Sequence, residues 1–131
     1  MKKLAILAKV LQSGIVAIVR TDNAEKAKKL VEAISIGGIK VIEVTMSVPG
    51  AIDVIKELAV YCNREEITLG VGSVLDPETA RAAILAGAEY VVTPCLNPSV
   101  IKLCNRYQVP SMPGAMSVKE VVEAMEAGAD I

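Results

Sequence analysis

Ile15 to Val19 is an unbroken apolar, largely β-branched run, and shorter runs of the same kind recur at Val41-Ile42, Ile67-Leu69 and Tyr90-Val92. Continuous rather than alternating apolar runs belong to strands covered on both faces, as in a parallel sheet. The runs begin at Ile15, Val41, Ile67 and Tyr90, an even spacing with room for one strand, one helix and two short loops. That is a βα repeat. A fifth, weaker strand is marked around Val109 to Met112.

The segments between the runs carry helix signals at both ends. Asp22 and Glu25 have the spacing of a capping box, and Ala27, Leu30, Val31 and Ile34 then share one face before Gly37-Gly38 stops the helix. Pro49, Asp76-Pro77 and Asn97-Pro98 each mark a helix start with proline in or near the first turn. Ser117 and Glu120 repeat the capping box, and Gly87 and Gly128 stand where helix-ending glycines belong. Ahead of the first strand, Met1 to Lys9 reads as a short amphipathic helix with a basic opening. Its apolar run is broken at Lys9 and lacks a small-residue cleavage site, so it does not read as a secretory leader. Ala127-Gly128-Ala129-Asp130-Ile131 has the same form as Ala86-Gly87-Ala88-Glu89-Tyr90, which leads from a helix into a strand. We therefore expect the chain to end at the opening of a sixth strand.

Two architectures accommodate this pattern: a complete, small five-stranded doubly wound sheet, or the first five βα units of an eight-stranded parallel (β/α)8 TIM barrel, which normally needs about 200 residues or more. At 131 residues the length favours the first. The strand ends favour the second.

Composition narrows the function. With 53% hydrophobic and 22% charged residues and no linker or low-complexity stretch, residues 1–131 are expected to form a single globular domain. The net charge is −1 and the basic residues are scattered, so the footprint required for nucleic acid or an anionic membrane is absent. A small-molecule partner remains. No run approaches the roughly 20 apolar residues of a membrane span. Three cysteines without CxxC spacing and no histidine argue against a zinc cluster and fit a reducing cytoplasm. Lack of histidine also removes every Ser-His or Cys-His mechanism, leaving carboxylates, lysines, hydroxyls and thiols.

In both architectures ligands bind at the carboxyl ends of the strands. Those positions hold Arg20, Glu43-Val44-Thr45, Gly70-Val71-Gly72-Ser73, Thr93-Pro94-Cys95 and Pro113-Gly114. Glu43 interrupts an apolar strand. Buried without a partner it would have a raised pKa and could shuttle protons near neutrality; the alternative is an internal ion pair, for instance with Arg20. The Arg20 guanidinium suits a carboxylate or phosphate, or simply caps a surface loop. Gly70-Val71-Gly72-Ser73 resembles a nest of backbone N–H groups, although GxG is common in tight βα turns and the dinucleotide fingerprint is not matched. Cys95 has no histidine to activate it, and Met46, Met112 and Met116 near the strand ends read as adaptable packing.

Val16-Ala17-Ile18-Val19-Arg20, Ile42-Glu43-Val44-Thr45, Gly70-Val71-Gly72-Ser73-Val74, Val92-Thr93-Pro94 and Met112-Pro113-Gly114, in this order and spacing, resemble the strand-end motifs of the 2-keto-3-deoxy-6-phosphogluconate (KDPG) and 4-hydroxy-2-oxoglutarate (KHG) aldolases. The resemblance runs from about Ile15 to Ile131. It implies a homotrimeric class I aldolase, independent of metal or other cofactor, that cleaves a 2-keto-3-deoxy sugar acid phosphate to pyruvate and glyceraldehyde 3-phosphate. It implies Glu43 as general acid/base, Arg20, Thr45 and Ser73 on the pyruvyl portion of the keto acid, and Pro94 as the wall beside it.

Members of the family often have threonine where Ser73 stands, which keeps the hydroxyl, and some have arginine where Ser47 stands, which leaves open what holds the distal part of the substrate. The family's Schiff-base lysine lies in the sixth strand, just beyond Ile131, and its phosphate site in the seventh and eighth units. Lys40 precedes its strand and the lysines at 26, 28, 29, 56, 102 and 119 fall on helices, so none is expected to substitute. The 131-residue chain is thus expected to lack aldolase activity. Two other functions fit the residues less closely: a small module binding an anionic metabolite at Gly70-Val71-Gly72-Ser73, and another phosphate-using barrel enzyme such as an epimerase.

Overall fold

The computed structural model describes residues 2–131. It consists of α1 (Lys2–Ser13), β1 (Ala17–Val19), α2 (Ala24–Ile36), β2 (Val41–Thr45), α3 (Ala51–Arg64), β3 (Thr68–Gly72), α4 (Pro77–Ala86), β4 (Tyr90–Thr93), α5 (Pro98–Tyr107), β5 (Ser111–Pro113) and α6 (Val118–Glu126). The five strands form one parallel sheet in the order β1-β2-β3-β4-β5. A doubly wound sheet reverses its strand order partway so that helices cover both faces. Here the order never reverses. Right-handed crossovers then place the helices that follow the strands on one side, which is the winding of a barrel wall.

The two faces separate cleanly along each strand. Val19, Ile42, Val44, Leu69, Val71 and Val91 pack against Ala27, Val31, Ile55, Leu58, Ala80 and Val100 of the helices. Residues of opposite parity, Val41, Tyr90, Val92 and Met112, form a second cluster with Val16 and with Ile6 and Val10 of α1. Ile6 and Val10 stand four positions apart, one above the other on α1, which therefore lies against the face that the other helices leave bare. This inner face is not closed at the β1 edge: Ile18 is 62% exposed, whereas its outward neighbour Val19 is 1% exposed.

Local chemistry accounts for most element boundaries and corrects several expectations. Asn23, not Asp22, caps α2. Its extended backbone (φ −140°) lets the side chain accept from the Lys26 N–H at 3.0 Å, while Asp22 one residue earlier accepts only from the Thr21 hydroxyl at 3.3 Å. Glu25 pairs with Lys28 instead of closing a box. The α2 stop is shared, since Gly37 is still helical and Gly38 turns left-handed at φ +97°. Helix α3 begins two places beyond Pro49, after Gly50 at φ +67°, a conformation for which a side chain would be strained. Asp76, Asn97 and Ser117 cap α4, α5 and α6 as expected, and Glu120 reaches back to the Met116 N–H and the Ser117 hydroxyl, both at 2.9 Å. β1 is shorter than its apolar run because only β2 pairs with it, leaving Ile15 exposed. β5 starts at Ser111 instead of Val109.

Candidate active site at the carboxyl ends of the strands

Parallel pairing brings the carboxyl ends of all five strands to one rim. The first residues beyond several strands are tied to a neighbour. Met46 donates to the Gly72 carbonyl at 2.9 Å, Val74 to Val92 at 3.2 Å and Gly114 to Thr93 at 2.8 Å. The loops that carry Arg20, Ser73 and Pro94 are therefore hung on a stitched rim.

Glu43 occupies the middle of β2, aligned with Ile18 of β1 and Gly70 of β3. By parity it belongs to the inner face. It is 4% exposed, and burial holds its carboxyl above the usual carboxylate range, an effect that Arg20 partly opposes. Among the described residues Glu43 closes no ion pair. The Arg20 guanidinium instead donates to the Ser73 hydroxyl at 3.3 Å. A Cβ built on Gly72 would fall 2.8 Å from Glu43 Cδ and closer still to its Oε1, so the carboxylate lies in the space that glycine leaves. Gly72 is required by this close approach.

Ser73 adopts φ +59°, the left-handed region that a non-glycine residue enters at a cost of about 1–3 kcal/mol. The turn directs its hydroxyl to Arg20, which brings the ends of β1 and β3 together across β2. Thr45 is fully buried; its hydroxyl donates to the Val19 carbonyl at 3.4 Å and accepts from the Ser47 hydroxyl at 2.7 Å, bracing the end of β2. Pro94 is exposed at the end of β4. Gly114 fits against its carbonyl so closely that a Cβ there would lie 3.0 Å from the Cys95 nitrogen and nearer to Pro94. Arg20, Glu43 and Ser73 thus cluster, Thr45 sits beneath the same rim, and Pro94 stands at the β4–β5 side.

Sequence reasoning missed Tyr90. It is fully buried on the inner face and aligned with Gly70, and its hydroxyl has no hydrogen-bond partner among the described residues. The signal was available in part, because Tyr61 and Tyr107 fall on helices and Tyr90 alone lies on a strand.

A cavity of about 600 Å³ opens at the opposite end beneath α1, among Lys9, Cys62, Glu66, Leu69 and Glu89. Size does not make it the reactive site: it lies at the amino ends of the strands, away from the clustered polar groups, and parallel α/β folds bind at the carboxyl ends. Among the described residues no three Cys, Asp or Glu side chains are grouped to hold a metal ion, and no helix is long and apolar enough to cross a membrane.

Comparison with known proteins gives the same picture. A family model described as KDPG and KHG aldolase matches residues 6–131. The chain is 33% identical over 123 residues to a 2-dehydro-3-deoxy-phosphogluconate aldolase of Haemophilus influenzae, a match covering 94% of this chain and 57% of the relative. It is 35% identical over 117 residues to the same-named protein of Treponema pallidum, covering 89% and 55%. Among solved structures it resembles the KDPG aldolase of Legionella pneumophila with pyruvate captured as a covalent carbinolamine, at a TM-score of 0.83 and 27% identity, over 98% of this chain and 59% of that one. The chain therefore spans little more than half the length of these relatives. A singly wound parallel sheet, a buried carboxylate beneath the rim and a family match over nearly its whole length establish that this chain belongs to the KDPG and KHG aldolase family.

Proposed function

We propose that this chain supplies the acid/base and carboxylate-binding part of a class I aldolase that cleaves 2-keto-3-deoxy-6-phosphogluconate to pyruvate and glyceraldehyde 3-phosphate. The observation that carries the reading is Glu43: a buried carboxyl held above its usual range, free of an ion pair, beside the Arg20–Ser73 contact. A general acid/base works best when its pKa lies near the operating pH, and burial moves Glu43 in that direction.

In the proposed reaction a lysine amine from the remainder of the barrel adds to the substrate's C2 ketone. Glu43 delivers the proton that turns the carbinolamine hydroxyl into leaving water, giving the imine. It then removes the proton of the C4 hydroxyl; the C3–C4 bond breaks, its electron pair moves into the imine, and the aldehyde departs. Reprotonation at C3 and addition of water release pyruvate and restore the amine. Arg20 and Ser73 hold the substrate carboxylate by charge-assisted hydrogen bonds, Thr45 shapes the floor, and Pro94 forms the wall beside the pyruvyl methyl. Resemblance to the family supports a cytoplasmic homotrimer. Val118, Val121, Val122 and Met125 of α6 are exposed and favour an assembly larger than this chain alone.

Incubation with pyruvate and borohydride tests the division of labour. The 131-residue chain should keep its mass, because no lysine stands at the carboxyl end of a strand, and a chain carrying the further units should gain a reduced pyruvate adduct. A specific adduct on the 131-residue chain would show that the nucleophile is misplaced.

A further inference from the structure

Among the described residues the Tyr90 hydroxyl is a buried donor without a partner, a rare condition in a folded protein and one that calls for an explanation. Its placement supplies one. Glu43, Gly70 and Tyr90 are aligned across β2, β3 and β4. A Cβ on Gly70 would collide with Cζ and both Cε atoms of the Tyr90 ring, so the phenol lies flat across β3 with its hydroxyl end over Gly70. The Glu43 carboxylate rests over Gly72, two residues along the same face of β3. Gly70 and Gly72 thus form adjacent seats, one for a phenol and one for a carboxylate.

We propose that Tyr90 is a positioning residue for Glu43, its hydroxyl donating toward the carboxylate across the bare surface of β3 through one bridging water. This inference rests on Glu43 being the proton shuttle. The donor is selective for the ionised form: it gives the carboxylate a hydrogen-bond partner on the side away from Arg20 and fixes the rotamer from which protons are exchanged. A phenol suits the task because it stays protonated here. Burial and the neighbouring charges of Glu43 and Glu89 both push its ionisation upward. Besides Glu89, which precedes β4 and acts on Tyr90, one charged group acts on the pair from the neighbouring elements. Arg20 faces Glu43 from the end of β1, β3 carries no titratable side chain, and α1 presents Ile6 and Val10 while its Lys3 turns to Asp130 at 2.9 Å.

The test is a direct titration of the Glu43 carboxyl by ¹³C NMR in this chain, comparing the parent, Tyr90→Phe and Tyr107→Phe. Phenylalanine keeps the ring over Gly70 and removes only the donor. Tyr90→Phe should raise the Glu43 midpoint by about half a pH unit or more. Tyr107→Phe, which removes a hydroxyl bonded to Arg81 on the outer side, should leave it in place. An unchanged Glu43 midpoint in Tyr90→Phe would overturn the inference. Urea unfolding supplies a second readout: the effect of Tyr90→Phe should shrink in a Glu43→Gln background, whereas equal effects in both backgrounds would mean that the hydroxyl serves packing alone. Neither readout needs turnover, so an inactive Glu43 would defeat the aldolase reading without deciding this coupling.

Discussion

Glu43 and Gly72 are locked together: the carboxylate of one fills the volume that the side chain of the other would occupy, across the β2–β3 pair. This relationship explains how a carboxylate can be kept on the inner face of an apolar strand without an ion pair. It has room, and it is held where the rim residues can share a ligand with it.

Gly72→Ala should therefore act on function more than on folding. We expect a loss of about 1–3 kcal/mol in stability from overpacking. In the complete aldolase, turnover should drop on the order of 10²-fold, the scale of a displaced reactive group. Urea denaturation alongside steady-state kinetics checks both, and a variant with normal turnover would mean that the carboxylate position is not critical.

Burial of Glu43 also sets a pH dependence of stability. In the unfolded chain the carboxyl titrates near its ordinary value of 4.5, and in the folded chain it titrates above that. Between the two values the folded state binds more protons, so stability falls as pH rises through this window and does not recover above it. Glu43→Gln removes the titration. The variant should be the more stable protein at neutral pH, with a difference that narrows as the pH falls toward 4.5. Urea midpoints across the acid-to-neutral range measure this; parallel curves for the two proteins would contradict it.

At the start of α2, Asn23→Ala should cost about 1 kcal/mol, since it frees a capped backbone N–H, and Asp22→Ala should stay within roughly 0.5 kcal/mol. Thermal melts of the two variants separate the caps. Equal losses would restore Asp22 as the cap.

Thiol chemistry should single out Cys95, which is exposed, whereas Cys62 and Cys104 are buried with thiols pushed up to about 12 and about 11. Alkylation of the native chain followed by mass analysis should give one adduct, at Cys95. Fast labelling of Cys62 or Cys104 would show that the helix layer opens readily.

The fold was legible because its signals are local. Apolar runs at Val41, Ile67 and Tyr90 became β2, β3 and β4, and the Asp76-Pro77, Asn97-Pro98 and Ser117 starts became α4, α5 and α6. Where local signals compete, the reading slipped by a residue or two. Asp22 and Asn23 are both good caps, and only the extended backbone of Asn23 decides between them. Length alone favoured a doubly wound sheet; the strand order, a non-local property, decided for the barrel wall. The strand ends pointed to Arg20, Glu43 and Ser73, and the structure adds the reasons they meet: the left-handed turn at Ser73 and the space above Gly72. Tyr90 stayed hidden because its importance comes from cross-strand register with Gly70 and from an unpaired hydroxyl, neither of which appears in a linear string.

The account stands or falls on Glu43 as the proton shuttle of the complete aldolase. The direct measurement is pyruvate release from 2-keto-3-deoxy-6-phosphogluconate by the Glu43→Gln variant of that protein. Glutamine keeps the shape above Gly72 but carries no exchangeable carboxyl proton. Turnover should fall by about 10²-fold or more with the fold intact, the scale expected for a general acid/base group. A correctly folded Glu43→Gln protein that releases pyruvate at the parent rate would contradict the account.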